Sequence, residues 1–502
     1  MKLQQSHRAL AATIAVAAVL ALSAAPSQAQ ARKDAAVLGM TLEPPGLDPT
    51  TAPAAAIGEI VHYNVLEGLT KIGMDGKVTP LLAESWSIEP DGKTYTFKLR
   101  KGVRFQDGEA FDASDVKFSF ERAKAAGSTN KAKKAVFDNV AAVTTPDPST
   151  VIVTLNNADG NFLFRMGENT AVILDPKSAA TTATRPVGTG PYRFEDWKKG
   201  ASVTLAKWDG YRNAAAVKLK KVTFRFIDDP SAQVAALLAG DVDGIPRFGS
   251  PQSLKQFQGD PRFSVAIGGT EGKTIVAINN RRKPFDDVRV RRAIAAAIDR
   301  KSVIDGTQEG YGAPIGSHMV PSDAGYIDLT KVNPYDPEKA KALLKEAGVA
   351  TPLQVTLTLP PPQYARKGGE IVAAELAKVG IVAKIENVEW AQWLSGAFKG
   401  NFDLTIISHV EPLDFATVYG DPKYYIGYDS KPFRDLLGRY NAATNAKERL
   451  QLLGDIQRML ATDSVNAFMF QLPQFAVANK KLKGLWSSSP VFANDMAAVS
   501  WQ

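Results

Sequence analysis

Apolar and polar residues alternate in short segments along the chain, and each such segment predicts a β-strand. One segment places Tyr95, Phe97 and Leu99 at every second position, which puts the three side chains on one face of a strand. The segments at residues 151–155 and 222–226 follow the same period. We therefore expect half-buried strands in the first half of the chain.

Helices with clear start and stop signals lie between the strands. Asp229 can cap a helix that has Pro230 at its first position, and Gly240 can end the same helix. The order Asp, Pro and Gly returns at residues 336–348, and a further helical segment ends at Gly380 before another strand. Because strands and capped helices alternate in both halves, the pattern favours an α/β protein with two lobes.

The first 31 residues have the composition of a signal peptide. Lys2 and Arg8 precede a run of small and apolar residues, and Ala29 and Ala31 offer cleavage sites. We therefore expect secretion into the periplasm. The sequence contains no cysteine, so we expect neither a lipid anchor on an N-terminal cysteine nor disulfide bonds.

Charge and motifs argue against nucleic-acid binding and against catalysis. The formal net charge is +8, and the basic clusters at residues 281–283 and 289–292 are typical of a solvated helix face. Beyond the signal peptide the histidines are His62, His318 and His409, and none has the spacing of a metal-binding helix. The sequence has no serine-nucleophile elbow and no phosphate-binding loop. We predict neither an enzyme nor a resident metal or cofactor.

Four long segments resemble the extracytoplasmic solute-binding proteins of peptide- and nickel-type ABC importers, the family 5 binding proteins. The segments are residues 63–123, 186–211, 236–245 and 284–300. The resemblance implies an α/β, two-lobed clamp of the periplasmic-binding-protein type, in the large form that carries an extra subdomain in lobe I. It also implies that the ligand is held between the lobes and delivered to a membrane permease.

The resemblance also implies how the chain is divided. We expect the signal peptide at residues 1–31, lobe I at 32–273, its inserted subdomain at about 70–185, lobe II at 274–474 and the return to lobe I at 475–502. The strands that connect the lobes are expected near residues 274–279 and 471–477.

The segment after residue 405 carries the first candidates for the binding site. In dipeptide and oligopeptide binders it reads roughly Gly-Trp-x-x-Asp, where the Trp walls the pocket and the Asp pairs with the peptide α-ammonium. Here the chain reads ISHVEPLDF, so His409 stands where the Trp is expected. Pro412 is nearest to the Asp position, between Glu411 and Asp414. We expect His409 to line the cleft and either acid to pair with an ammonium group.

The resemblance implies further binding residues. Arg366 is nearest to the arginine with which dipeptide binders hold the peptide carboxylate, and a guanidinium can pair with both carboxylate oxygens. Trp390 matches a tryptophan that faces the cleft in the family, whereas Trp393 is expected in the core. Tyr424 and Tyr425 lie in a segment expected over the cleft, where each offers an apolar face and a hydroxyl.

The sequence thus predicts a monomeric periplasmic binding subunit of an ABC importer, with a peptide or related small solute as ligand. A nickel or other metal chelate, an opine, a sugar or an aromatic acid remains open as the ligand, because the Gly-Trp-x-x-Asp pattern is broken. Two other classes also remain open: an exported hydrolase on the same scaffold, and a sensory binding protein that presents its ligand to a membrane receptor.

Overall fold

The structure, a computed structural model, describes residues 34–52 and 54–502. The predicted signal peptide lies outside the described residues. The strands are β1 (Ala35–Met40), β2 (Thr70–Ile72), β3 (Val78–Pro80), β4 (Ala83–Ile88), β5 (Thr94–Leu99), β6 (Val140–Asp147), β7 (Thr150–Leu155), β8 (Tyr192–Lys198), β9 (Ser202–Lys207), β10 (Lys221–Phe226), β11 (Gly244–Ile245), β12 (Phe263–Ile278), β13 (Ala313–Pro314), β14 (Leu353–Leu359), β15 (Ile381–Asn387), β16 (Leu404–His409), β17 (Asn466–Asn479), β18 (Leu482–Lys483) and β19 (Ser500–Trp501).

The helices lie between groups of strands along the chain. They are α1 (Ala55–Val61), α2 (Ala113–Lys124), α3 (Phe162–Arg165), α4 (Pro230–Ala239), α5 (Leu254–Gln258), α6 (Val288–Ala297), α7 (Arg300–Gln308), α8 (Pro337–Glu346), α9 (Gln363–Ala377), α10 (Trp390–Ser395), α11 (Phe415–Gly420), α12 (Lys431–Ala442) and α13 (Ala446–Thr462). Within the described residues, none of these helices is both long and apolar enough to span a bilayer.

The predicted strands and helices form where their local signals place them. β5 buries its three alternating apolar side chains, and β7 and β10 follow the same pattern. The carboxylate of Asp229 accepts a hydrogen bond from the backbone N–H of Ala232 at 2.7 Å and so caps α4. Gly240 ends that helix with a φ of 77°, a left-handed conformation that glycine adopts without steric cost.

One wide sheet runs through both lobes. Its strand order is β15–β14–β16–β12–β17–β11–β1–β10–β9–β8, and β13 pairs with β17 at the side. The strands β14 to β16 and the helices around them enclose the cores of lobe II. The strands β1 and β8 to β11 enclose those of lobe I.

A separate antiparallel sheet forms the inserted subdomain of lobe I. Its strand order is β4–β5–β7–β6, and it packs against α2 around its own core. Phe97, Phe105 and Phe120 are buried in this core. Phe118, on the same helix as Phe120, packs instead against the core of lobe I and so connects the subdomain to it.

Two long strands connect the lobes. β12 pairs antiparallel with β17 on both sides of the cleft, but the pairing is interrupted between Gly269 and Lys273. Beyond Lys273, β12 also pairs with β16 of lobe II. A Cβ at Gly268 would lie 1.9 Å from the backbone oxygen of Ser487, so only glycine fits here. The break in pairing leaves fewer backbone hydrogen bonds to disturb if the lobes rotate at this point.

Candidate functional site: the cleft between the lobes

Two adjoining cavities lie between the lobes, beside the connecting strands. The central cavity has a volume of about 260 Å³ and apolar walls that include Leu472 and Phe492. The side cavity, about 330 Å³, lies between the inserted subdomain and the segment after β16. Because Lys131, Glu168 and Glu411 line both cavities, the two are parts of one cleft.

Residues of the subdomain and of lobe II meet where the two cavities join. The Nζ of Lys131 lies 3.3 Å from Oε2 of Glu411, and about half of the Glu411 side chain is exposed to solvent. Nη1 of Arg165 donates to the backbone oxygen of Pro412 at 3.4 Å. These contacts are weak and partly solvated, so a ligand or a lobe movement can replace them at small cost.

β16 brings His409 to the cleft. The strand is buried along its first four residues and only partly buried at its end, where His409 lies. The chain then turns through Leu413, which has a φ of 49°, and α11 begins at Phe415 in the core of lobe II. The turn places Asp414 next to His409.

Asp414 is the centre of a buried polar network. Its Oδ1 lies 2.8 Å from Nε2 of His318 and 3.2 Å from Nζ of Lys273. Its Oδ2 lies 3.0 Å from Nδ1 of His409. Lys273 is 1% exposed, and its ammonium group also donates to the backbone oxygen of Glu411 at 2.6 Å. The network therefore fixes the segment after β16 to the connecting strand β12.

Both imidazoles have a partner at each ring nitrogen. Nε2 of His409 lies 2.8 Å from the Tyr425 hydroxyl, and Nδ1 of His318 lies 2.8 Å from the Tyr419 hydroxyl. One arrangement of protons that satisfies the set has each imidazole donating to Asp414 and accepting from a tyrosine. The ring of His409 is thereby held in one orientation at the wall of the side cavity.

Charge and burial act in opposite directions on these groups. Burial alone would raise the pKa of Asp414, but the Lys273 ammonium and the two imidazoles hold it well below its usual range. Burial lowers the pKa of His318 to about 4 although Asp414 opposes this shift. At neutral pH the network consequently contains an ionised Asp414, a charged Lys273 and a neutral His318.

The same residues have the donor set of a metal site, with ligand atoms of His318, His409 and Asp414 within 4.8 Å of one another. A cation bound there would have to displace the Lys273 ammonium from Asp414 and two tyrosine hydroxyls from the imidazoles. The contacts therefore favour a hydrogen-bonded wall over a metal site.

The other residues predicted for the site are distributed unevenly. Tyr424 lines the side cavity, and Tyr425 is buried behind His409. Trp390 is 42% exposed at the start of α10 and packs edge-on against Trp393, which is buried in the core as expected. Arg366 lies on α9, where its Nη2 donates to Oε1 of Glu389 at 2.9 Å. Neither Trp390 nor Arg366 is among the described residues that line the two cavities.

Four charged residues of the central cavity were not predicted from the sequence: Lys131, Glu168, Arg247 and Glu271. Glu271 precedes Lys273 on β12 and is only 4% exposed. Acidic and basic side chains are seldom fully buried unless they are paired, so the burial of Glu271 and Lys273 is a signal of function. The sequence did not reveal it, because both residues precede the strand expected at residues 274–279. Arg247 follows β11 in lobe I, and no feature of the sequence distinguishes it from surface arginines.

The fold and the cleft define a two-lobed solute-binding protein, and comparisons with known proteins agree. The chain matches the model of the bacterial extracellular solute-binding proteins, family 5 (middle region), over residues 77–430. It is 31% identical over 415 residues to the di/tripeptide-binding protein 1 of Pseudomonas aeruginosa, covering 76% of each chain. It is 32% identical over 386 residues to the glutathione-binding protein of Salmonella paratyphi A, covering 74% of this chain and 73% of that one.

A solved structure shows the same architecture. The periplasmic binding protein DppA of Helicobacter pylori, in complex with the peptide STSA, superimposes with a TM-score of 0.74 at 26% identity, covering 95% of this chain and 100% of that one. The chain belongs to the bacterial extracellular solute-binding proteins, family 5. This confirms the predicted two-lobed α/β fold and the predicted class, the solute-binding subunit of an ABC importer.

Proposed function

We propose that the protein captures a short peptide or a related small zwitterionic solute in the cleft between its lobes and delivers it to the permease of an ABC importer. The observation that carries this proposal is the cleft itself: cavities enclosed by both lobes, with apolar walls and with acidic and basic groups. Such a site suits a compact solute with charges of both signs. The similarity to di/tripeptide- and glutathione-binding proteins supports the same ligand class.

The segment after β16 forms one wall of the proposed site. His409, held by Asp414 and Tyr425, presents an oriented ring to the side cavity. Of the two acids predicted to pair with an ammonium group, Glu411 is the more available, because both oxygens of Asp414 already have buried partners. Arg366 would first have to leave Glu389 to reach a ligand carboxylate.

The proposed mechanism requires no chemistry on the ligand. The open clamp takes up the solute, closure about the strands β12 and β17 removes it from water, and the permease recognises the closed form. We further propose that the mature protein is a monomer, is not an enzyme, and acts in the periplasm after removal of its signal peptide.

Native mass spectrometry of the purified mature protein tests the ligand class, since binding proteins can retain solute from their host. Retained short peptides or other small zwitterions are the expected result. A metal chelate, a sugar or an aromatic acid would instead overturn the peptide assignment, and conversion of the solute during incubation would support a hydrolase. For empty protein, a thermal-shift series with dipeptides gives the answer, because a ligand that binds only the folded clamp raises its melting temperature.

A further inference from the structure

Glu271 is a buried acid at the wall of the central cavity, and the described residues offer its carboxyl group another acid, Asp323, but no N–H donor. The side chain is 4% exposed, and neither carboxylate oxygen accepts a hydrogen bond from an N–H group of the described residues. A buried carboxylate that receives no hydrogen bond loses its hydration and gains nothing in return. Such a group in a binding cleft is therefore suited to a ligand that supplies the missing partner.

Arg247 offers the opposite charge to the same cavity. Its Nε lies 2.7 Å from the carboxylate of Glu59, and its Nη1 donates to Oε1 of Gln474 at 3.4 Å. Its Nη2 is buried and has no hydrogen-bond partner in the described part of the chain. The neighbouring contacts thus hold the guanidinium in place while one of its N–H faces remains available.

The two residues have different polar neighbours. Glu271 faces the carboxylate of Asp323 and the ammonium group of Lys273, with Asp414 farther away. Arg247 belongs to lobe I, where Glu59 and Gln474 contact it. An acidic group on the connecting strand β12 and a basic group after β11 in lobe I give the cavity a polarity that a zwitterion can match in only one orientation.

We infer that Glu271 and Arg247 are the charge-recognising groups of the central cavity, and that the ligand is a compact zwitterion with its cationic end at Glu271 and its anionic end at Arg247. This inference rests on the proposed function and names the residues that select the ligand. It assigns to Glu271 the role expected for Glu411 or Asp414, and to Arg247 the role expected for Arg366.

The surroundings of Glu271 also couple this binding to a proton. Burial raises the pKa of Glu271 well above its usual range, and the nearby Asp323 adds to the shift while Lys273 opposes it. Without ligand this shift favours the protonated carboxyl group, which can donate to the Asp323 carboxylate. When the ligand ammonium arrives, the Glu271 carboxyl releases this proton to solvent, so one positive charge replaces another. The other charged residues that line the same cavity are Lys131, Glu168, Arg247 and Glu411.

The test uses the mature protein, freed of host solute. It is titrated separately with an equimolar mixture of unmodified dipeptides, with the N-acetylated form of that mixture and with its C-amidated form. Calorimetry in buffers of different ionisation enthalpy gives affinity and proton release. Glu271→Gln and Arg247→Gln are compared with Arg366→Gln and with the exposed control Glu346→Gln. Far-UV circular dichroism and thermal unfolding establish that each variant is folded.

The expected result is a matched pair of losses. N-acetylation of the dipeptides weakens binding to the wild type at least ~30-fold but has little effect on binding to Glu271→Gln. C-amidation likewise weakens binding to the wild type but has little effect on binding to Arg247→Gln. Proton release accompanies binding of free dipeptides to the wild type and is absent in Glu271→Gln.

Three results would contradict the inference. Equal binding of free and blocked dipeptides refutes it while leaving the proposed function standing. The inference is also refuted if Arg366→Gln alone weakens dipeptide binding, because Arg366 would then hold the ligand carboxylate as the sequence predicted. Failure of the folded wild type to bind any free dipeptide refutes the peptide ligand and this inference together.

Discussion

Replacement of Asp414 by asparagine is expected to lower the stability of the protein strongly, because Asp414 is the centre of the buried polar network. Asp414→Asn preserves the shape of the side chain but removes the charge that Lys273, His318 and His409 share. Lys273 would then keep its ammonium group in a 1% exposed position without its nearest carboxylate. Removing one partner of a buried ion pair costs about 3–5 kcal/mol, so we expect the free energy of unfolding to fall by about that amount.

Urea unfolding at pH 7.5, followed by tryptophan fluorescence, measures this loss. The double variant Asp414→Asn/Lys273→Met removes the stranded charge and is expected to be more stable than Asp414→Asn alone. Glu411→Gln is the matched control, because Glu411 is half exposed and its pair with Lys131 should contribute less than about 1 kcal/mol. A loss below about 1 kcal/mol for Asp414→Asn, or no recovery in the double variant, would refute the assigned role of the network.

Three further predictions concern other parts of the fold. Burial lowers the pKa of His62 to about 3, so between pH 7.5 and 5 the unfolded chain takes up a proton that the folded protein does not. Over this pH drop, the free energy of unfolding measured by chemical denaturation should fall by about 2 kcal/mol more for the wild type than for His62→Phe. Gly268→Ala forces a Cβ against the backbone at the connecting strands and should destabilise the protein by about 1–3 kcal/mol. Gly438→Ala, in α12 with open space around it, should instead stabilise the protein by up to about 1 kcal/mol. Equal melting temperatures for the two variants would contradict this pair of predictions. Tyr425→Phe removes the hydroxyl at His409 and should cost about 1–2 kcal/mol, and an unchanged urea midpoint would show that the bond does not orient the ring.

Local signals were sufficient to predict most of the elements. The strand with Tyr95, Phe97 and Leu99 and the helix between Asp229 and Gly240 depend on periodicity and capping, which involve neighbours within a few positions. The arrangement of these elements in a two-lobed clamp does not follow from such signals. It was predicted through the resemblance to family 5, and the matched family model confirms it.

The site was harder to predict because its contacts join distant parts of the chain. His318 meets Asp414 across 96 positions, and Lys273 meets the backbone of Glu411 across 138. The sequence therefore could not show that Asp414 is already occupied by protein groups. Nor could it show that Glu389, 23 positions beyond Arg366, pairs with the Arg366 guanidinium. The predicted binding roles of His409, Glu411, Asp414, Arg366, Trp390, Tyr424 and Tyr425 remain predictions.

The central claim is that a small solute is held between the lobes, and ligand-induced closure tests it most directly. Because the chain contains no cysteine, Lys134→Cys and Lys423→Cys place one spin label on each side of the cleft, both at exposed positions. Pulsed electron double resonance then measures the label-to-label distance with and without the unmodified dipeptides. We predict a shorter and narrower distance distribution with ligand. An unchanged distribution in a sample shown by native mass spectrometry to be loaded would contradict the account.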